Sequence, residues 1–191
     1  MNLTAHGLDP EQLSVLAQAG RWLADQEFYL AGGTALAIYF SHRRSVDLDW
    51  FTAAAISDPL VFAQRLRDTG LAFETGQTAP GTLYGRIGNV RVSFIEFRYP
   101  FLQPLVTWPA NGIALASMDD LACMKLSAIA QRGSRKDFYD VHRRWCMNAK
   151  WRETYNLVLC GPKRKHAHAG RNYTVLGTGR NTTVRWYNAV H

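Results

Sequence analysis

The chain has 191 residues, of which 47% are hydrophobic and 19% charged, a balance typical of folded globular proteins and not of disordered ones. No apolar run approaches the ~20 residues that a membrane-spanning helix needs, and residues 1–11 lack the basic start and apolar stretch of a secretory signal. The composition therefore predicts a cytoplasmic protein with one domain and an appended segment.

The formal net charge of +7 is confined to the end of the chain. Residues 1–146 contain 14 basic and 14 acidic residues, whereas residues 147–191 contain 8 basic residues and one acidic residue. Residues 1–146 are therefore predicted to form the domain, and residues 147–191 a basic, poorly patterned tail. In this tail the acidic residues disappear and the helical periodicity stops. A frameshift produces such a change in composition, so an aberrant sequence is one interpretation of the tail. RNA binding by its basic residues is another.

The first half of the domain is predicted to alternate helices and strands. Asp9-Pro10 opens a helix, because proline is tolerated at the first helical position. Gly32-Gly33 separates a strand at 28–30 from a helix at 34–42. Further strands are predicted at 46–51, 71–74, 82–87 and 90–98, with a helix from Asp58-Pro59 to Gly70 and a tight turn at Gly88-Asn89.

The second half is predicted to be a loop followed by helices. Residues 99–111 contain prolines and read as a loop. Ser117 and Asp120, three residues apart, resemble a capping box that opens a helix ending near Gln131, and Gly133 separates it from a helix at 134–146. The order of elements predicts an α+β fold, in which helices pack on a mixed β-sheet and a helical part follows.

Asp47 and Asp49 are the strongest candidates for chemistry. Side chains alternate along a strand, so a spacing of two puts both carboxylates on the same face, ~7 Å apart, while Leu48 and Trp50 point into the core. Two neighbouring carboxylates repel each other unless a cation lies between them, and Mg²⁺ prefers such oxygen ligands. The alternative is a surface pair with no ligand.

Gly32-Gly33-Thr34 lies at the predicted strand-to-helix turn. Glycines allow a ligand to approach the backbone, and a helix N-terminus offers free N–H groups to an anion. A triphosphate held there, with metal on Asp47 and Asp49, would suit nucleotidyl transfer. A purely structural Gly-Gly turn is the alternative.

The run GGTALAIYFSHRRSVDLDWF, residues 32–51, resembles the signature of the DNA polymerase β-like nucleotidyltransferase superfamily, and within it the AbiEii/AbiGii toxin branch. Residues 94–104 and 124–141 are similar to other parts of that branch, the latter through a lysine-containing helix and a K-D-x-x-D-V segment. The resemblance covers residues 28–144 and implies the same mixed-sheet fold.

The resemblance also implies roles for individual residues. The implied nucleotide-binding residues are Gly32, Gly33, Thr34, Arg43, Ser45 and Lys125, and the implied catalytic residues are Asp47, Asp49, Lys125 and Asp137. Asp47 and Asp49 would bind Mg²⁺, and Lys125 would add positive charge beside the triphosphate. For Lys125 a solvated helix face shared with Arg132 is the alternative. For Asp137 the alternative is a cap, or a surface pair with Arg135 or Arg132.

Polymerase β-like enzymes commonly add a third carboxylate from a neighbouring strand, here the one predicted at 90–98. Ser93 and Glu96 lie on opposite faces of that strand. If Glu96 faces the site, the metal ligands are Asp47, Asp49 and Glu96; if Ser93 does, the set of acids is incomplete. The sequence leaves both arrangements open.

The expected function is Mg²⁺-dependent transfer of a nucleotide from an NTP to RNA, for instance a tRNA end, or to a protein. The resemblance further implies the toxin component of an AbiE-type toxin–antitoxin system, with a cognate antitoxin as partner and no membrane association. The alternative is a catalytically inactive nucleotide-binding or interaction module of the same fold.

Overall fold

The computed structural model describes residues 3, 5–132 and 134–147. The chain divides into two compact units, Met1–Leu121 and Ala122–His191. The predicted tail at 147–191 lies outside the described residues apart from Met147, so the boundary after residue 146 stays a prediction.

The first unit contains a mixed seven-stranded sheet in the order β3-β4-β5-β2-β1-β7-β6. β2 runs parallel to β5 and β1 parallel to β7, while the remaining neighbours are antiparallel. The strands are β1 (Tyr29–Leu30), β2 (Asp47–Thr52), β3 (Phe73–Ala79), β4 (Thr82–Ile87), β5 (Val90–Glu96), β6 (Val106–Thr107) and β7 (Ala114–Leu115). The helices of the described residues are α1 (Pro10–Asp25), α2 (Gly32–Phe40), α3 (Pro59–Asp68), α4 (Met118–Arg132) and α5 (Arg135–Met147). The predicted α+β fold is confirmed.

The predicted starts of α1 and α4 are confirmed by capping contacts, whereas the helix predicted at 34–42 spans Gly32–Phe40 and includes both glycines in its first turn. Asp9 accepts a hydrogen bond from the Gln12 amide at 2.8 Å, and the Gln12 side chain accepts one from the Asp9 amide at 3.1 Å. This reciprocal pair satisfies two N–H groups that the first turn of α1 cannot pair internally. Ser117 likewise accepts from the Asp120 amide at 3.1 Å, at the start of α4.

The strand predictions agree best with the structure where turn residues mark the end of a strand. Gly88 adopts a positive φ of 57° in the two-residue turn between β4 and β5, as predicted. β3 continues to Ala79 instead of ending at Glu74, because its backbone pairs with β4 although its side chains after Phe73 are exposed and carry no apolar alternation. β6 and β7 have two residues each, too few for a detectable pattern.

One face of the sheet forms the core of the first unit. Leu48, Trp50 and Phe94 are completely buried on it. Phe94 is surrounded by rings, since its centroid lies 5.2 Å from that of Phe62 in α3 and 5.7 Å from that of Phe28. We call this the buried face. Among the residues that the structure describes, no helix has the length and apolar character needed to cross a membrane.

Candidate active site

Asp47 and Asp49 project from the face of β2 opposite the buried face. Both are partly exposed, whereas Leu48 and Trp50 between and beyond them are completely buried. The prediction that the two carboxylates share one face is therefore confirmed. We call this side of the sheet the site face.

β5 contributes the next row of side chains on the site face. The parallel register places Arg91 beside Asp47 and Ser93 beside Asp49. The Arg91 Nε lies 2.6 Å from Asp47 Oδ1, and the Ser93 hydroxyl donates to Asp49 Oδ1 over the same distance. One oxygen of each carboxylate is thus engaged by a donor from the neighbouring strand.

Glu96 is not brought to these carboxylates. It is paired in register with Thr52, and it belongs with Val92 and Phe94 to the opposite face of β5. Its carboxylate accepts hydrogen bonds from the Ile56 amide at 3.0 Å and pairs with Arg98 Nε at 2.5 Å. This placement contradicts the arrangement in which Glu96 is a third metal ligand. Ser93 is the β5 side chain beside Asp49 on the site face.

The two glycines at the start of α2 make room for two charged side chains. Gly32 has a φ of 65°, and a Cβ placed on it would lie 2.6 Å from Asp49 Oδ2. A Cβ on Gly33 would lie 2.6 Å from Arg43 Nη2. No side chain caps the helix at Ala31. The first turn of α2 therefore lies directly against the Asp49 carboxylate and the Arg43 guanidinium.

Thr34 and Ser45 support β2 from inside the unit. Thr34 is completely buried and Ser45 nearly so. Their hydroxyl oxygens lie 2.8 Å apart, and the Thr34 hydroxyl donates to the carbonyl oxygen of Asp47. These contacts hold the first residue of the strand, so the structure shows both hydroxyls as internal supports and not at a surface.

Lys125 and Asp137 lie together in the second unit. The Lys125 Nζ is 3.0 Å from Asp137 Oδ1 and 3.0 Å from Asp140 Oδ2. All three side chains are buried, and the Ser134 hydroxyl donates to the second oxygen of Asp137 at 2.6 Å. Buried charges of this kind need partners, since desolvation is costly. The alternative of a solvated helix face is therefore wrong for Lys125.

Arg91 is the site residue that sequence reasoning missed. A signal was present, because Val92 and Phe94 are apolar in the same alternation as Leu48 and Trp50. Matching the two apolar rows on adjacent strands would have placed Arg91 and Ser93 beside the acids.

The family model described as "Nucleotidyl transferase AbiEii toxin, Type IV TA system" matches residues 14–144. The chain belongs to this family. The match includes both glycines, both site carboxylates and the Lys125–Asp137 pair.

A bacterial relative is similar to part of the chain. The "Uncharacterized protein aq_aa25" of Aquifex aeolicus (strain VF5) is 42% identical over 115 residues, which cover 60% of this chain and 56% of that protein. The chain thus spans little more than half the length of this relative.

Solved structures share the fold at low identity. ANT(2")-Ia in complex with adenylyl-2"-tobramycin is 10% identical with a TM-score of 0.56, covering 75% of this chain and 94% of that one. JHP933 from Helicobacter pylori is 19% identical with a TM-score of 0.51, covering 71% and 66%. The Megavirus polyadenylate synthase is 17% identical with a TM-score of 0.50, covering 74% and 33%. These likenesses establish the nucleotidyltransferase fold.

Proposed function

We propose that this protein is a Mg²⁺-dependent nucleotidyltransferase that moves a nucleotide from an NTP to a hydroxyl of an RNA, for instance a tRNA end, or of a protein. We further propose that it acts as the toxin of a toxin–antitoxin pair, with a cognate antitoxin as partner. The observation that carries the proposal is the pair Asp47 and Asp49 on one strand face, with the first turn of α2 against Asp49.

The two carboxylates suit Mg²⁺. Within the described part of the chain, no group of three or more His, Cys, Asp or Glu side chains is arranged to hold a metal. Mg²⁺ does not require such a cage, since it is usually bound by one or two carboxylates and completed by water and substrate phosphates. The missing Cβ at Gly32 allows Asp49 Oδ2 to lie against the first turn of α2. When bound, Mg²⁺ would neutralise phosphate charge and favour the attacking oxygen.

The chain's own groups would bind and orient the triphosphate. The N–H groups at the start of α2 and the guanidinium of Arg43 beside Gly33 provide positive potential for phosphate oxygens. In the reaction, the acceptor oxygen bonds to the α-phosphorus, the bond from that phosphorus to the bridging oxygen breaks, and pyrophosphate leaves. The acceptor's proton passes to solvent. For Lys125 and Asp137, whose buried charges pair with each other and with Asp140, we propose a role in holding the second unit together.

A pair of carboxylate-to-amide variants tests this proposal. Asp49→Asn removes a charge from the site face, whereas Glu96→Gln makes the same change on the opposite face. With labelled NTPs, Mg²⁺ and cellular RNA or protein, we expect Asp49→Asn to reduce transfer by at least about 10²-fold and Glu96→Gln to leave it near the wild-type rate. Equal labelling by wild type and Asp49→Asn would contradict the proposal.

The position of Ser93 supports a second candidate, a nucleotide-binding module without catalysis. Ser93 is the β5 side chain beside Asp49, and a hydroxyl there adds no negative charge for a second cation. Calorimetry with an NTP separates the candidates. Mg²⁺-dependent binding without release of pyrophosphate, in the presence of cellular RNA and protein, would favour the module.

A further inference from the structure

Five aromatic rings in successive contact are centred on Phe51, which shares the site face with the carboxylates. Phe51 is two residues beyond Asp49 in β2 and therefore projects from the same face. We define the aromatic platform as this ring and the four that continue from it on either side, Phe97, Tyr99, Tyr29 and Phe101.

Each ring of the aromatic platform contacts the next. The Phe51 centroid lies 5.7 Å from that of Phe97 and 6.0 Å from that of Tyr29. Outward from these, Phe97 lies 4.7 Å from Tyr99, and Tyr29 lies 5.1 Å from Phe101. The five rings therefore form one connected cluster with Phe51, the ring on the strand of the carboxylates, at its centre.

The outer rings are open to solvent. Tyr99 is 46% exposed and Phe101 41% exposed, and Phe51 and Phe97 between them are half-buried. The buried face differs, since its rings Phe28, Phe62 and Phe94 are at most 8% exposed. Exposed aromatic rings grouped at a polar site are unusual for core packing and typical of a binding surface.

The loop that carries Phe101 is held in place by Asp120. The Asp120 carboxylate accepts hydrogen bonds from the Leu102 amide at 2.8 Å and the Gln103 amide at 3.4 Å, and it contacts the Ser117 hydroxyl at 2.5 Å. Beneath Phe101, Tyr29 is 2% exposed, and burial together with the nearby Asp120 charge raises its pKa, so its phenol stays neutral. The platform is thus preorganised, which lowers the entropic cost of binding a ligand.

We propose that the aromatic platform stacks the bases of a single-stranded RNA acceptor, whose 3′-terminal hydroxyl then lies at Asp47 and Asp49. The proposal rests on the proposed function, because it names where that reaction's acceptor binds. Flat aromatic side chains stack unpaired bases with little regard to sequence. The two separately exposed rings Tyr99 and Phe101 favour more than one unpaired base of a strand over the single base of an NTP.

Alanine variants of the two exposed rings test the platform. The probe is a short single-stranded RNA with 2-aminopurine near its 3′ end, whose fluorescence reports stacking. We expect Tyr99→Ala and Phe101→Ala each to raise the Kd about tenfold, as for loss of one stacked base, and Tyr99→Phe and Phe101→Tyr to retain binding. Leu60→Ala is the matched control, because Leu60 is 60% exposed on α3. Circular dichroism verifies that each variant folds.

Two further arms separate the alternatives. Weaker binding of a fluorescent NTP by the alanine variants, with RNA binding unchanged, would overturn the proposal in favour of the NTP base. Equal competition by double-stranded RNA or by an unstructured peptide would overturn it too, as would absence of RNA binding by the wild-type chain.

The same measurements distinguish failure of this proposal from failure of the proposed function. If wild type transfers nucleotide, Asp49→Asn does not, and the alanine variants bind RNA like wild type, the platform proposal fails alone. If RNA binding falls in the alanine variants but wild type transfers nothing, the platform stands and the proposed function fails.

Discussion

The two faces of the central sheet are built from the same strands, but one face forms the core and the other carries the candidate site. On the buried face, Leu48, Trp50 and Phe94 have no exposure and are surrounded by apolar neighbours. On the site face, Asp49 and Ser93, which are sequence neighbours of those residues, form a short polar contact in which Asp49 is partly exposed. Because strand side chains alternate, each core residue of β2 and β5 helps to hold the adjacent site residue in place.

The aromatic residues sharpen the same contrast. The rings around Phe94 come from α3, β3 and the segment before β1 and enclose it at centroid distances of 5.2 to 6.0 Å. The rings of the aromatic platform contact one another in a row and leave their outer members exposed. Enclosed rings contribute mainly to stability, whereas the exposed outer rings Tyr99 and Phe101 contribute less to stability and are accessible to a ligand.

The largest expected effect is on the buried face. Phe94→Ala should lower the free energy of unfolding by about 3–5 kcal/mol, because a large buried ring leaves a cavity. Tyr99→Ala, on the site face, should change it by no more than about 0.5 kcal/mol, as is usual for exposed positions. Urea unfolding followed by circular dichroism measures both. Similar losses for the two variants would remove the distinction between the faces.

Gly32→Ala should damage the site face through the backbone. A methyl group there would collide with Asp49, and displacing a catalytic group by about 1 Å costs about 10²-fold in rate. Gly88→Ala is the matched control, because Gly88 also has a positive φ of 57° but has no atom within 4 Å of the added Cβ. Both should lose about 1–2 kcal/mol of stability from left-handed strain. Transfer assays should show the rate loss for Gly32→Ala only.

Ser93→Ala should weaken metal binding moderately. Loss of the hydroxyl removes the hydrogen bond that orients Asp49, and such outer contacts are worth about 10- to 100-fold in metal affinity or activity. Ser93→Thr keeps a hydroxyl and should restore the affinity. Electron paramagnetic resonance of Mn²⁺ in the presence of an NTP analogue gives the Kd. An unchanged Kd for Ser93→Ala would argue against a metal at Asp49.

Arg91→Gln should have the smallest effect on stability. The Arg91 side chain is 62% exposed, and solvent-exposed ion pairs contribute at most about 1 kcal/mol. Thermal unfolding at low and high salt measures the contribution, which should shrink as salt increases. A loss comparable with that of Phe94→Ala would show that the ion pair is far more important than its exposure suggests.

Much of the fold followed from local patterns in the sequence. Asp9, Asp58 and Ser117 mark helix starts through short-range capping chemistry, and Gly88 marks a tight turn for the same kind of reason. The common face of Asp47 and Asp49 required only the period of a strand. These features depend on contacts between residues close in sequence, so a single chain without structural information suffices to predict them.

The remaining features depend on pairing between distant segments. Whether Ser93 or Glu96 meets Asp49 is decided by the register of β2 against β5, which joins residues 44 positions apart in the chain. The short strands β6 and β7 owe their existence to neighbours in the sheet and not to their own sequence. The roles of Lys125 and Asp137 came from family resemblance, and their ion pair from the structure.

The charge of the carboxylate pair has a thermodynamic consequence. Asp47 and Asp49 lie two residues apart on one strand face, and a bound cation would relieve the repulsion between their carboxylates. Ligand that binds only the folded state stabilises it by about 2.7 kcal/mol at a hundredfold excess over Kd. The melting temperature should therefore rise with Mg²⁺ and NTP together, and it would report occupancy of the site before any acceptor is known.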